Sequence, residues 1–223
     1  RNLLVTTDKL RRCFGLDRHN MEVLCYLPLC HVAERAFSTV MHMMTGGVVN
    51  YAESIDTVAA NLREIAPKVF LGVPRIWEKL KAGIEAKIAG EPDETRRQGM
   101  QWAIGVGRRK VEAEQAAIAG TGPGPDEALL AEYAKADELV LSKLRAAIGL
   151  DQVRWSVSGA APIPQDVLVF FGAIGIPIAE LWGMSELSCC AAINPTERVK
   201  IGTVGLPVPG LEVRLDDDGV VGA

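Results

Sequence analysis

The sequence predicts an α/β protein in which βαβ units build sheet layers covered by helices, interrupted by one long helical stretch. Strand-sized apolar runs alternate with amphipathic helical patterns along most of the 223 residues. Two of those runs, 153–157 and 176–181, are each followed by small or polar residues, which places both following loops on one rim of a sheet. Between about 91 and 150 the texture changes to charged, Ala-rich helix, broken at Gly120-Thr121-Gly122-Pro123-Gly124-Pro125.

In chain order, Arg1-Asn2-Leu3-Leu4 opens a helix running to about Phe14. Residues 23–27 read as a buried strand that Pro28 closes, and Cys30-His31-Val32-Ala33-Glu34-Arg35 opens the next helix. Gly46-Gly47 breaks that helix before a short strand over 48–51. Ser54 is the expected N-cap of a helix through Ile65 that carries Ile55, Val58, Leu62 and Ile65 on one face. Pro67 stops it, 69–73 returns as a strand, and Pro74 stands at the first helical position, where its missing N–H costs nothing. Trp77, Leu80, Ile84 and Ile88 form an apolar stripe whose plainest reading is core.

In the helical stretch, Ile104, Val111 and Ile118 mark the face of one helix. Leu129, Tyr133, Ala136, Val140, Leu144 and Ile148 mark that of a second, an antiparallel pair laid against the sheet. A strand at 153–157, a helix over 165–173 and a strand at 176–181 follow. Beyond them a strand runs through 191–193, Leu211, Val213 and Leu215 alternate as an edge strand, and Asp218-Gly219 is a hairpin turn signal.

A formal net charge of −4 without a basic stripe argues against nucleic acid as a partner, and no apolar run reaches the length of a transmembrane helix. Five cysteines without metal or redox spacing read as reduced core residues, and Cys189-Cys190 as part of a plain strand. The chemistry gathers on the rim. Gly159, Ala160 and Ala161 let a flat group lie against main chain, and Trp182 offers a stacking face for a purine-like ring. Ser185 suits a phosphate oxygen, and Glu186 suits a hard cation such as Mg2+. The blander alternative is a tight turn with a solvent-facing Ser-Glu pair, and for His31 a capping or packing role. A serine hydrolase fails on sequence, because neither Ser158 nor Ser185 sits in G-x-S-x-G.

Ser158-Gly159-Ala160-Ala161-Pro162-Ile163 followed by Leu181-Trp182-Gly183-Met184-Ser185-Glu186 resembles the paired signatures of the adenylate-forming acyl-CoA synthetases. Gly202-Thr203-Val204-Gly205-Leu206-Pro207-Val208-Pro209-Gly210 is similar to the segment that follows in the same enzymes. Two further stretches, Leu27-Pro28-Leu29-Cys30-His31-Val32-Ala33-Glu34-Arg35 and Val73-Pro74-Arg75-Ile76-Trp77-Glu78-Lys79, resemble the long-chain members. The resemblance implies ATP-dependent activation of a long-chain fatty acid to acyl-AMP and its transfer to coenzyme A, with ATP, Mg2+ and coenzyme A bound. It places Gly159 to Ala161, Leu181 and Trp182 at adenine, Ser185 at phosphate, Glu186 at magnesium, and His31, Gly183 and Met184 at the acyl carboxylate. It also implies a cytoplasmic protein compatible with peripheral membrane contact. Residues 1–223 would be part of a large N-terminal AMP-binding domain with an insertion at about 91–150. A phosphate loop would lie upstream of Arg1, and a C-terminal lid domain bearing a catalytic Lys beyond Ala223, so these residues alone are expected to be inactive. A fatty acyl-AMP ligase and a non-catalytic nucleotide-binding module of the same fold remain the alternatives.

Overall fold

The computed structural model describes residues 1–215 and 221–222. Five strands, β1 (Glu22–Cys25), β2 (Val48–Tyr51), β3 (Val69–Gly72), β4 (Trp155–Ser158) and β5 (Ile178–Trp182), lie parallel in the order β2-β1-β3-β4-β5. Two short strands, β6 (Ala192–Ile193) and β7 (Leu206–Pro207), continue the sheet antiparallel beyond β5. A separate pair, β8 (Arg214–Leu215) and β9 (Val221–Gly222), follows. The helices are α1 (Asn2–Cys13), α2 (residues 32–45), α3 (Val58–Ile65), α4 (Pro74–Ala89), α5 (Glu94–Ala119), α6 (residues 127–147) and α7 (Gln165–Ala173). This is the α/β arrangement that the alternation of runs predicts.

The inner strands β1, β3 and β4 are short and almost wholly buried on both faces, as a sheet with helices on each side requires, whereas the edge strand β2 is exposed at Val48 and Tyr51. Successive residues divide between two cores. Phe70 and Ile178 join Trp77, Phe170 and Phe171 on one face, whereas Val69, Leu71, Val157 and Ala179 join Leu10, Phe37 and Met41 on the other. Trp77 is fully buried, edge-on to Phe70 and Phe171 with ring centroids 5.1 and 4.9 Å away, so the stripe on α4 is core.

Several expectations need correction. Ser54 does not cap a helix: the Thr57 hydroxyl donates to the Ser54 carbonyl and accepts from its amide, closing a turn, so α3 starts at Val58 and Ile55 is exposed. β1 ends at Cys25 rather than residue 27, because the Leu27 amide is taken by a side chain, Glu34. In α6 a π turn over Asp137–Leu141 rotates the later residues, so that Leu141 is the one fully buried there and Val140 only partly. Arg145 grips Asp137 with both guanidinium nitrogens and donates to the Ile174 carbonyl at 2.8 Å, fastening α6 to the end of α7. Cys189-Cys190 lies in a turn, not a strand, and Cys13 and Cys30 are exposed rather than core. The edge strand near 211–215 begins only at Arg214. The Asp218-Gly219 signal lies outside the described residues.

Candidate functional site

After β1 the chain passes to one face of the sheet, where α2 packs with Phe37 and Met41, and after β3 it passes to the other, where α4 packs with Trp77. The carboxyl ends of β1 and β3 therefore diverge. In an open parallel sheet this is the switch point, and the crevice there is the ordinary ligand site. A cavity of about 190 Å³ opens at these strand ends. The loop after β1 contributes Leu27, His31, Val32 and Ala33, the exit of β3 contributes Leu71 and Val73, and the loop after β4 contributes Gly159 and Ala160. Leu181, Gly183, Met184, Ser185 and Cys189 close the remaining side.

Two glycines are dictated by this closure. A Cβ on Gly159 would meet the Leu181 side chain at 2.8 Å, and one on Gly183 would meet the Cys189 carbonyl at 1.7 Å. Both loops come this near only because neither residue has a side chain. Residues 184–189 then form a tight turn, with Leu187 and Cys189 amides donating to Met184 and the Ser188 amide to Ser185. Ser188 and Cys189 both take positive φ, 59° and 109°, so backbone strain is held beside the Ser185-Glu186 pair. Burial pushes the Cys189 thiol up to about 12 and Cys190 higher still, which keeps both protonated.

His31 caps α2, its Nδ1 accepting from the Ala33 amide at 3.2 Å, which leaves Nε2 for a ligand. Of the residues singled out from sequence, His31, Gly159, Ala160, Leu181, Gly183, Met184 and Ser185 border the one cavity. Ala161, Trp182 and Glu186 do not: Ala161 is exposed beside Ala160, Trp182 is half-buried opposite Ala192 in the ladder, and Glu186 is exposed.

Other residues build the site without having been given a role in it from the sequence. The Tyr26 hydroxyl donates to the Leu71 carbonyl and accepts from the Val73 amide, both at 3.0 Å, so it braces the exit of β3. Burial raises its pKa. Ser158, at the end of β4, is buried with a hydroxyl that has no partner among the described residues. Three side chains, one local and two from distant segments, accept from consecutive amides after β6. Lys200 donates to Asn194, Ile201 to Gln115 of α5 at 2.9 Å, and Gly202 to Glu180 of β5 at 2.9 Å. Gln115 also donates to the Val199 carbonyl, so the helical pair is tied to the strand that carries Trp182. Only a polar residue on an inward helical stripe, and a carboxylate in an apolar strand, signal this in the sequence.

The cavity offers main chain and the Ser185 hydroxyl to a ligand, and Glu186, outside its lining, offers an exposed carboxylate. The cradle is kept open by two glycines, and a buried hydroxyl lies next to it unpaired. No group of three or more His, Cys, Asp or Glu among the described residues could hold a metal by itself. Glu186 makes no ion pair among the described residues, and one free carboxylate is what Mg2+ asks of a protein when phosphates supply the other ligands. No helix among the described residues is long and apolar enough to cross a membrane.

The profile of the AMP-binding enzyme family matches residues 1–222. The chain is 44% identical over 218 residues to fadD11, a provisionally named fatty-acid–CoA ligase of Mycobacterium tuberculosis, covering 98% of this chain and 37% of that protein. It is 34% identical over 203 residues to the long-chain-fatty-acid–CoA ligase ACSBG2 of Xenopus laevis, covering 88% of this chain and 26% of that one. The chain thus spans between about a quarter and little more than a third of the length of these relatives. Among solved structures it superposes on a malonyl-CoA ligase with methylmalonyl-CoA and AMP bound, with a TM-score of 0.60 at 22% identity over 96% of this chain and 35% of that one. It also superposes on the O-succinylbenzoate coenzyme A synthetase of Bacillus subtilis in complex with ATP and magnesium ion, with a TM-score of 0.59 at 14% identity over 100% of this chain and 34% of that one.

Proposed function

The chain belongs to the AMP-binding enzyme family, and from that premise we propose that the whole protein activates a long-chain fatty acid with ATP and passes the acyl group to coenzyme A. The observation that carries this is the single cavity in which the His31 loop meets Gly159, Ala160 and Gly183 to Ser185. It brings a candidate acyl-carboxylate contact to the same strand ends as a candidate nucleotide contact. The names of the relatives and the long-chain resemblance of residues 27–35 and 73–79 support the substrate class.

The reaction asks for in-line attack of the fatty-acid carboxylate on the α-phosphate of ATP, forming the acyl–phosphate bond as pyrophosphate leaves. Two anions must be brought together, so positioning and offsetting charge supply most of the acceleration. His31, through Nε2, orients the carboxylate. Gly183 and Met184 line its approach, and Ser185 donates to a phosphate oxygen. Gly159, Ala160 and Ala161 lay main chain along the adenine while Trp182 stacks on it. Glu186 would hold Mg2+, which when bound offsets charge building on the phosphates. In the second step the coenzyme A thiol attacks the acyl carbon and AMP leaves. Residues 91–150 are read here as an insertion in a larger N-terminal domain.

Glu186→Ala in the full-length protein tests the reading. Pyrophosphate exchange should fall by roughly 100-fold or more while the melting temperature stays put, since an exposed carboxylate serves the ligand rather than the core. Exchange within a few-fold of wild type at saturating Mg2+ would overturn the assignment.

A further inference from the structure

We propose that Glu34 is a positioning residue for the acyl carboxylate, holding His31 and its loop against the cavity; this rests on the acyl-site reading of that cavity. Glu34 is only 3% exposed, and no Lys, Arg or His pairs with it among the described residues. Its neighbour Arg35 turns away to donate to the Leu29 carbonyl at 3.1 Å. Glu34 Oε2 accepts from the Leu27 amide at 3.0 Å, and Oε1 accepts from the Ser38 hydroxyl. Burying a carboxylate without a cation is costly, and here two neutral donors, one at each oxygen, offset that cost.

What the carboxylate closes is the cavity wall. The bond from Leu27 to Glu34 shuts a loop of eight residues that contributes Leu27, His31, Val32 and Ala33 to the lining. Within it, the one hydrogen bond of the His31 ring among the described residues is at Nδ1, from the Ala33 amide one residue before Glu34, so the ring takes its orientation from this loop. Ser38, the second partner, lies in a π-helical segment, Arg35–Met41, that begins directly after Glu34. Such wide turns gather at functional sites.

Two near-isosteres separate positioning from charge in the full-length enzyme. In Glu34→Gln the amide oxygen accepts from Leu27 and the NH2 group donates to Ser38, whose hydroxyl rotates to accept. Glu34→Asp keeps the charge but is one methylene too short to reach Leu27. Glu34→Asp should lower kcat/KM for the fatty acid by roughly 10- to 100-fold with KM for ATP unchanged. Glu34→Gln should stay within about threefold of wild type on both. The reverse order, Asp active and Gln dead, would overturn positioning in favour of charge. Equal loss toward both substrates with a lowered melting temperature in both variants would reduce Glu34 to a fold residue. His31→Ala runs alongside: if it weakens fatty-acid turnover while Glu34→Asp does not, the inference alone falls. If His31→Ala leaves fatty-acid turnover untouched, the acyl-site reading falls and takes the inference with it.

Discussion

At the scale of single residues, the site is made by what is missing as much as by what is present. Gly159 and Gly183 lack the carbon that would drive their loops apart, and that absence brings Leu181 and the Cys189 carbonyl within reach of the cavity. Trp182 stands at the carboxyl end of β5, half-buried, and its proposed partner is the adenine ring. Trp182→Ala should therefore raise KM for ATP and leave KM for the fatty acid unmoved. Stacking of a base on an aromatic ring is worth roughly 1–3 kcal/mol in nucleic-acid sites, so the rise should be about tenfold or more. Steady-state kinetics with each substrate varied in turn checks this, and an unchanged ATP constant would return Trp182 to a packing role. His31, Gly159 and the Trp182-to-Glu186 run were legible as letters because their side chains act through type and local spacing. Tyr26, Glu34 and Ser158 were not, since a bridging hydroxyl, a buried carboxylate and an unpaired hydroxyl acquire meaning only from what the fold sets beside them.

Among elements, the link that matters runs from α5 through Gln115 to residues 199–202, and from there through Glu180 to β5. The sequence lays the helical pair against the sheet, and the structure ties it by hydrogen bonds to the strand that ends in the proposed adenine residue. Glu180 is the titratable member. Burial raises its carboxyl above the ordinary 4.5, and the Gly202 and Thr203 amides, which favour the anion, only partly offset that. Because the folded-state value lies above the unfolded one, the folded chain holds the proton more tightly. Stability from this group is therefore complete below pH 4.5 and is lost as pH rises through the raised value. Glu180→Gln removes the titration. Urea midpoints measured at about pH 4 and about pH 7 should show the variant gaining on wild type at the higher pH, and an equal gap at both would refute the assignment.

For the molecule as a whole, the order β2-β1-β3-β4-β5 decides where chemistry is possible, because it parts the chain to opposite faces between β1 and β3. No Lys or Arg among the described residues lines the resulting cavity, so in the proposed placement the phosphates of ATP would meet a hydroxyl and main chain there but no cation. With no Lys or Arg in that lining, residues 1–223 alone are expected in the proposed reading to bind an acyl-adenylate analogue weakly and to make acyl-CoA far more slowly than the full-length protein, since positioning and offsetting charge supply most of the acceleration in such transfers. A coupled assay of ATP, fatty acid and coenzyme A with the purified chain checks this. Turnover at even about one percent of the full-length enzyme would refute it.

By itself the sequence determined the alternation of strand and helix, the helix over Gln165–Ala173, Pro74 at the start of α4, and the two rim loops, because periodicity, proline and glycine act within a few residues of chain. Only the tertiary structure decided that Thr57 rather than Ser54 closes the turn before α3, that a π turn carries Leu141 inward, and that Gln115 and Glu180 hold one loop between them. The physical reason is distance along the chain. Gln115 bonds residues 84 and 86 positions away, and Tyr26 bonds Leu71 and Val73 across 45 and 47. Such partners share no local pattern, and they meet because packing both faces of the sheet brings these polar side chains to main-chain groups that would otherwise be buried without a partner.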